Sequence, residues 1–157
     1  MKMHISAAAL AALLLSGIPT SSSAMGGNES PARDKSSAAD FALGRAAIDH
    51  KDWTGAIDAF NKVVAQDNRN ADAWNWLGYA SRKSGKLDAA FKYYDKALSI
   101  DPRHKGVYEY QGEAFLMANQ LPKAESNLAT LAKLCNSSCE EYKDLKEAVD
   151  DYKAGKR

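Results

Sequence analysis

Apolar side chains recur at three- and four-residue spacing in successive blocks between residues 37 and 154. That is the period of a helix with one buried face. The clearest blocks predict one helix over Ala71–Lys83 and a second over Leu87–Ile100, with Gly85 at the turn between them. Trp74, Leu77, Tyr94 and Leu98 supply the facing apolar surfaces, and Gly78 is expected to lie against Ala90 so that the backbones approach closely. Pro102 cannot continue the hydrogen-bond ladder and ends the pair.

The pattern then repeats. Gly44, Gly78 and Gly112 are separated by 34 residues each time, as are Ala56, Ala90 and Ala124. A fixed period of this length marks a stacked helical hairpin, in which each copy buries its neighbour's apolar side. Three copies run over residues 37–70, 71–104 and 105–138. Residues 139–154 continue with Tyr142, Leu145, Ala148 and Val149, the apolar face of one closing helix. Ser138 and Glu141 are spaced as a capping box to start it.

These residues resemble the tetratricopeptide repeat family. The middle copy carries the signature Trp74, the Leu77-Gly78 pair, Ala90, Tyr94 and Pro102. The first departs with Asp40 and Asn68 at the Trp and Pro places, and the third with Tyr108, Gln111 and Asn136 at the Trp, Leu and Pro places. The resemblance implies an all-α fold, a right-handed superhelical solenoid of three repeats plus a C-terminal capping helix. It also implies a concave groove lined by the first helix of each repeat. By alignment those places hold Phe41, Arg45, Ile48 and Asp49, then Asp72, Asn75, Tyr79, Arg82 and Lys83, then Glu109, Glu113, Leu116 and Met117. A peptide or amphipathic helix of a partner protein is the expected ligand. One subtype of the family clamps chaperone C-terminal carboxylates with Lys, Asn and Arg. The matching places here are Phe41, Arg45, Trp76, Gly106 and Tyr110, so that clamp is absent.

Composition narrows the classes. The chain is 45% apolar and 26% charged, with 21 Lys and Arg against 20 Asp and Glu. With a formal net charge of only +1 the chain has no global field toward nucleic acid or anionic lipid, so neither is an expected partner. No phosphate loop, metalloprotease motif or nucleophile elbow is present, and the adjacent carboxylates Glu140-Glu141 and Asp150-Asp151 read as solvated surface. His50 and His104 have no recognisable partner in sequence. No catalytic residue, metal site or cofactor is therefore assigned.

The first 24 residues read as an export signal: Lys2, an apolar run over 5–18, Pro19, and small residues before Met25. The run is too short to span a bilayer, so no stable membrane insertion is expected after its removal. Residues 25–36, with Gly26-Gly27, Ser30 and Pro31, read as a flexible linker to a repeat domain over 37–154. The expected location is periplasmic or secreted, an oxidising compartment in which Cys135 and Cys139 can bond across the turn before the capping helix. The leading functional reading is a non-enzymatic adaptor in bacterial envelope assembly. The alternative is a periplasmic protein handling thiols or copper through Cys135 and Cys139. Self-association through the exposed end of the array is a further expectation about partners.

Overall fold

The structure is a computed structural model that describes residues 31–156; the segment read as an export signal, and linker residues 25–30, lie outside it. Among the described residues there are seven helices and no strand. They are α1 (Pro31–Asp49), α2 (Trp53–Gln66), α3 (Ala71–Lys83), α4 (Leu87–Ile100), α5 (Lys105–Met117), α6 (Leu121–Cys135) and α7 (Glu140–Lys153). The helices of the middle repeat, α3 and α4, have the bounds that the periodicity predicts. The linker expectation needs correction at its end, because residues 31–36 belong to α1. Pro31 presets φ for a first helical turn, and Ala32, Arg33 and Lys35 favour continuing it.

The same local devices recur at the repeat period. Lys51, Gly85 and Asn119, each 34 residues from the next, adopt left-handed backbone with φ of 58°, 79° and 57°. Each closes its intra-repeat turn with two backbone bonds, as where Gly85 N–H donates to Arg82 O (2.9 Å) and Lys86 N–H to Ser81 O (2.8 Å). Only one of the three is glycine, so the sequence marks this turn once while the chain makes it three times. At the inter-repeat turns, Asn70 caps α3 by accepting from Ala73 N–H (2.9 Å) and His104 caps α5 by accepting from Val107 N–H (3.3 Å). The departures from the signature are also accounted for. Trp74 donates to Asn68 O (3.0 Å), and Tyr108 makes the equivalent bond to Pro102 O (3.0 Å). Gln111, at a leucine place, donates to Asp95 (2.9 Å) and accepts from Asn127 (3.1 Å), so its burial leaves its amide satisfied.

The core is divided into three successive clusters. The first joins α1, α2 and α3 through Ile48, Phe60, Val63 and Leu77. The second joins α4 and α5 through Tyr94, Ala97, Val107 and Ala114. The third joins α5, α6 and α7 through Leu116, Leu131, Leu145 and Val149. Trp74 packs against both of the first two. The close approach at Gly78 is to the Tyr94 ring rather than to Ala90, since a Cβ there would overlap that ring. Gly44 receives Phe60 in the same way, but Gly112 receives Leu145 of α7. Leu43 is 61% exposed where its counterpart Leu77 is fully buried, because no described element precedes α1 to cover it.

The last helix starts differently from the sequence expectation. Asn136 and Ser137 are both left-handed, with φ of 52° and 60°. This turns Ser138 back onto α6, where its hydroxyl donates to Cys135 O (2.7 Å). The N-cap of α7 is Cys139, which makes no side-chain capping bond, so the capping box is not formed. The sulfurs of Cys135 and Cys139 lie within bonding distance, with Cα atoms 5.8 Å apart.

Candidate binding groove

The 34-residue register places side chains on α1, α3 and α5 in rows. Two rows line a common face: Phe41, Asn75 and Glu109, and Arg45, Tyr79 and Glu113. The third row, Ile48, Arg82 and Leu116, does not. Those residues are 9%, 6% and 0% exposed. Ile48 belongs to the first core cluster and Leu116 to the third, so neither lines the groove as the alignment implied. The helix period puts this row on nearly the same side as the Phe41 row, whose Asn75 and Glu109 are themselves buried. Its loss from the groove comes from the core clusters that cover it at that end of each helix. Asp49, Lys83 and Met117 form a fourth, exposed row at the groove margin.

Arg82 is the exception within its row, a buried cation paired at one end of its guanidinium, with Nε left without a hydrogen-bond partner. Its guanidinium pairs with Glu113 and lies 5.2 Å from the Tyr79 ring centre and 5.8 Å from that of Tyr110. It belongs to the framework rather than to a free basic patch. Burial drives the neighbouring Tyr94 hydroxyl far above its ordinary pKa, with the Arg82 charge opposing.

A strip of aromatic rings runs along the groove. Trp76 meets Tyr79 edge-on at 5.5 Å and Tyr79 meets Tyr110 at 4.8 Å, while Phe60, buried in the core, stacks against Trp76 at 6.3 Å. The Arg45 guanidinium lies 3.8 Å over the Trp76 ring. Such stacking holds a cation at a fixed place while leaving its N–H edges for another partner. Trp76 is half-buried and so both packs and faces the groove.

At the C-terminal end the strip opens into a cleft of about 390 Å³ between α3, α5 and α7. Asn75 and Trp76 of α3, Gly106, Glu109 and Tyr110 of α5, and Glu140, Glu141 and Asp144 of α7 line it. His104 and Asp72 stand at its edge, joined Nε2 to Oδ1 at 2.9 Å. With Nδ1 accepting the capping bond, Nε2 carries the proton that Asp72 accepts, and this bond holds the Asp72 carboxyl below its usual range. His104 thus has two partners, neither visible in sequence because one is 32 residues away. Glu109 is pushed up to about 8, first by burial and then by the charges of Glu113, Asp144 and Glu141, with Arg82 opposing. Tyr110 is raised to about 12 by burial and by Glu109. Sequence reasoning took the α7 carboxylates for solvated surface. Their alignment over the groove depends on how the last turn places α7, which no local pattern specifies.

Among the described residues, no group of three or more His, Cys, Asp or Glu side chains is placed to hold a metal ion. None of the described helices is long and apolar enough to cross a membrane.

Comparison with known proteins agrees with this architecture. Residues 41–105 match the profile of the tetratricopeptide repeat. The DnaJ protein P58IPK homolog of Arabidopsis thaliana is 31% identical over 94 residues, which cover 60% of this chain and 19% of that protein. The chain spans less than a fifth of the length of the curated relatives it matches. Among solved structures, the TPR2B domain of yeast Sti1 in its pHsp70 complex superimposes with a TM-score of 0.69 at 16% identity, over 78% of this chain and 99% of that one. The Yersinia enterocolitica type III secretion chaperone SycD, in complex with a peptide of the translocator YopD, superimposes with a TM-score of 0.65 at 18% identity, over 82% of this chain and 97% of that one.

Proposed function

Since the chain belongs to the tetratricopeptide repeat family, we propose that it is a non-enzymatic adaptor that holds a segment of a partner polypeptide along the groove of α1, α3 and α5. The observation that carries this reading is the aromatic strip of Trp76, Tyr79 and Tyr110, with Arg45 laid over Trp76. Rigid aromatic rings with a stacked guanidinium are what interface hot spots are made of, because they bury large area at small entropy cost. The fold relatives support it: the Sti1 domain and SycD were each solved with partner material bound.

We assign the pair Cys135 and Cys139 a stapling role, fixing α7 to the end of the array. Their bonding distance fits this role. The export reading of residues 1–24 supports a place in the bacterial envelope. Recovery of a chain beginning at Met25 from a periplasmic extract tests that part.

The groove is tested by selecting binders to the full chain from a displayed random-peptide library. Arg45→Ala with Tyr79→Ala should weaken the selected peptides at least about tenfold, with far-ultraviolet circular dichroism unchanged. Lys96→Ala, on the exposed side of α4, should leave them alone. Failure to select any peptide, or binders indifferent to the groove variant, refutes the reading.

A further inference from the structure

We propose that the cleft between α3, α5 and α7 is a receptor for one cationic side chain, a lysine or arginine of the segment held in the groove. This rests on the adaptor reading and specifies the partner's chemistry. Asn75 is the starting observation. It is 3% exposed, lines the cleft, and its side-chain oxygen is buried with no hydrogen-bond partner. An amide oxygen buried in that state costs about 1–3 kcal/mol unless a donor reaches it. No donor of the chain does, so a donor brought into the cleft would satisfy it.

The surroundings specify its charge. Glu140, Glu141 and Asp144 line the same cleft as Asn75 and Glu109. Lys105 reaches Glu141 at 3.5 Å, and His104 occupies Asp72 at 2.9 Å. Among the described residues no cation pairs with Glu140, Asp144 or Glu109. An anion is repelled here, and a neutral apolar side chain leaves both the carboxylates and the Asn75 oxygen unsatisfied. An ammonium or guanidinium offers the Asn75 oxygen a donor and the carboxylates a compensating charge, through charge-assisted bonds. The raised Glu109 carboxyl points the same way, since it withholds its charge in the absence of a compensating cation.

Access and route are also present. Gly106 leaves the mouth open beside Asn75, where a Cβ would stand 3.4 Å from the Asn75 side-chain nitrogen. Trp76 and Tyr110 belong both to the aromatic strip and to the cleft wall. A segment lying on the strip therefore delivers its next long side chain into the cleft.

The test titrates the full chain with N-acetyl-lysine methylamide and N-acetyl-arginine methylamide, with N-acetyl-norleucine methylamide as the neutral match. Nuclear magnetic resonance follows the Asn75 side-chain amide and the Gly106 backbone amide. The cationic probes should give saturable shifts of both signals in the millimolar range, and norleucine should bind at least about tenfold more weakly. Asp144→Asn with Glu109→Gln should weaken the cationic probes about tenfold with helix content unchanged. Equal binding of norleucine, shifts that never saturate, or an indifferent double variant overturns the proposal. The two readings fail separately. Selected peptides that need Arg45 and Tyr79 but carry no Lys or Arg, with inert probes, sink the cleft alone. Saturable probes without any selected peptide sink the groove reading alone.

Discussion

Replacing Glu109 by Gln should stabilise the chain in alkaline solution and hardly at all in acid. In the folded chain the Glu109 carboxyl stays protonated up to about pH 8, whereas the unfolded chain ionises it near its ordinary value of 4.5. Between those values the folded state holds the additional proton, so this group makes stability fall as pH rises. The penalty is absent below the unfolded value and complete above the folded one. Three to four pH units at about 1.4 kcal/mol each set an upper bound of about 5 kcal/mol. Water at the open mouth of the cleft screens the carboxylates, so about 2 kcal/mol is the expected effect. Glutamine keeps the shape and never ionises. Urea unfolding followed by circular dichroism should therefore show the variant about 2 kcal/mol more stable near pH 9, and within about 0.5 kcal/mol of the parent near pH 4. Parallel stability curves across this range would refute the placement of Glu109 in a desolvated, acidic cleft.

Other outcomes follow from the hairpin geometry. Gly78→Leu should lower stability by about 3 kcal/mol or more, measured by thermal unfolding, because even a Cβ there overlaps the Tyr94 ring. Lys51→Gly should raise it by about 0.5–1 kcal/mol in the same assay, by relieving a left-handed residue with a side chain. Cys135→Ser with Cys139→Ser should cost about 2 kcal/mol in urea unfolding, the loop-entropy value for so short a closure, while leaving groove binders attached.

How far the sequence could be read varied with the range of the forces involved. Helix bounds in the middle repeat were legible because Trp74, Gly78, Tyr94 and Pro102 are local and periodic. The rows containing Phe41, Asn75 and Glu109, and Arg45, Tyr79 and Glu113, are assigned to the groove face by the resemblance to the family, which the register then extends from copy to copy. Ile48 and Arg82 were misplaced because burial is decided by the facing helix, and Arg82 is a polar residue that the core accepts only with Glu113 beside it. Ser138 and Glu141 have the spacing of a cap but not its geometry, because two left-handed residues precede them. The cleft was invisible for the same reason: Glu140 and Asp144 acquire meaning only once α7 lies across α5.

The division of the core into three successive clusters has a mechanical consequence. No side chain is common to all three, and the first two share Trp74 at their border. The molecule therefore has no centre to be crushed or emptied, and strain entering at one end is taken up joint by joint. Those borders fall between α3 and α4 and along α5, so a change of curvature is distributed as small adjustments there rather than concentrated in one place.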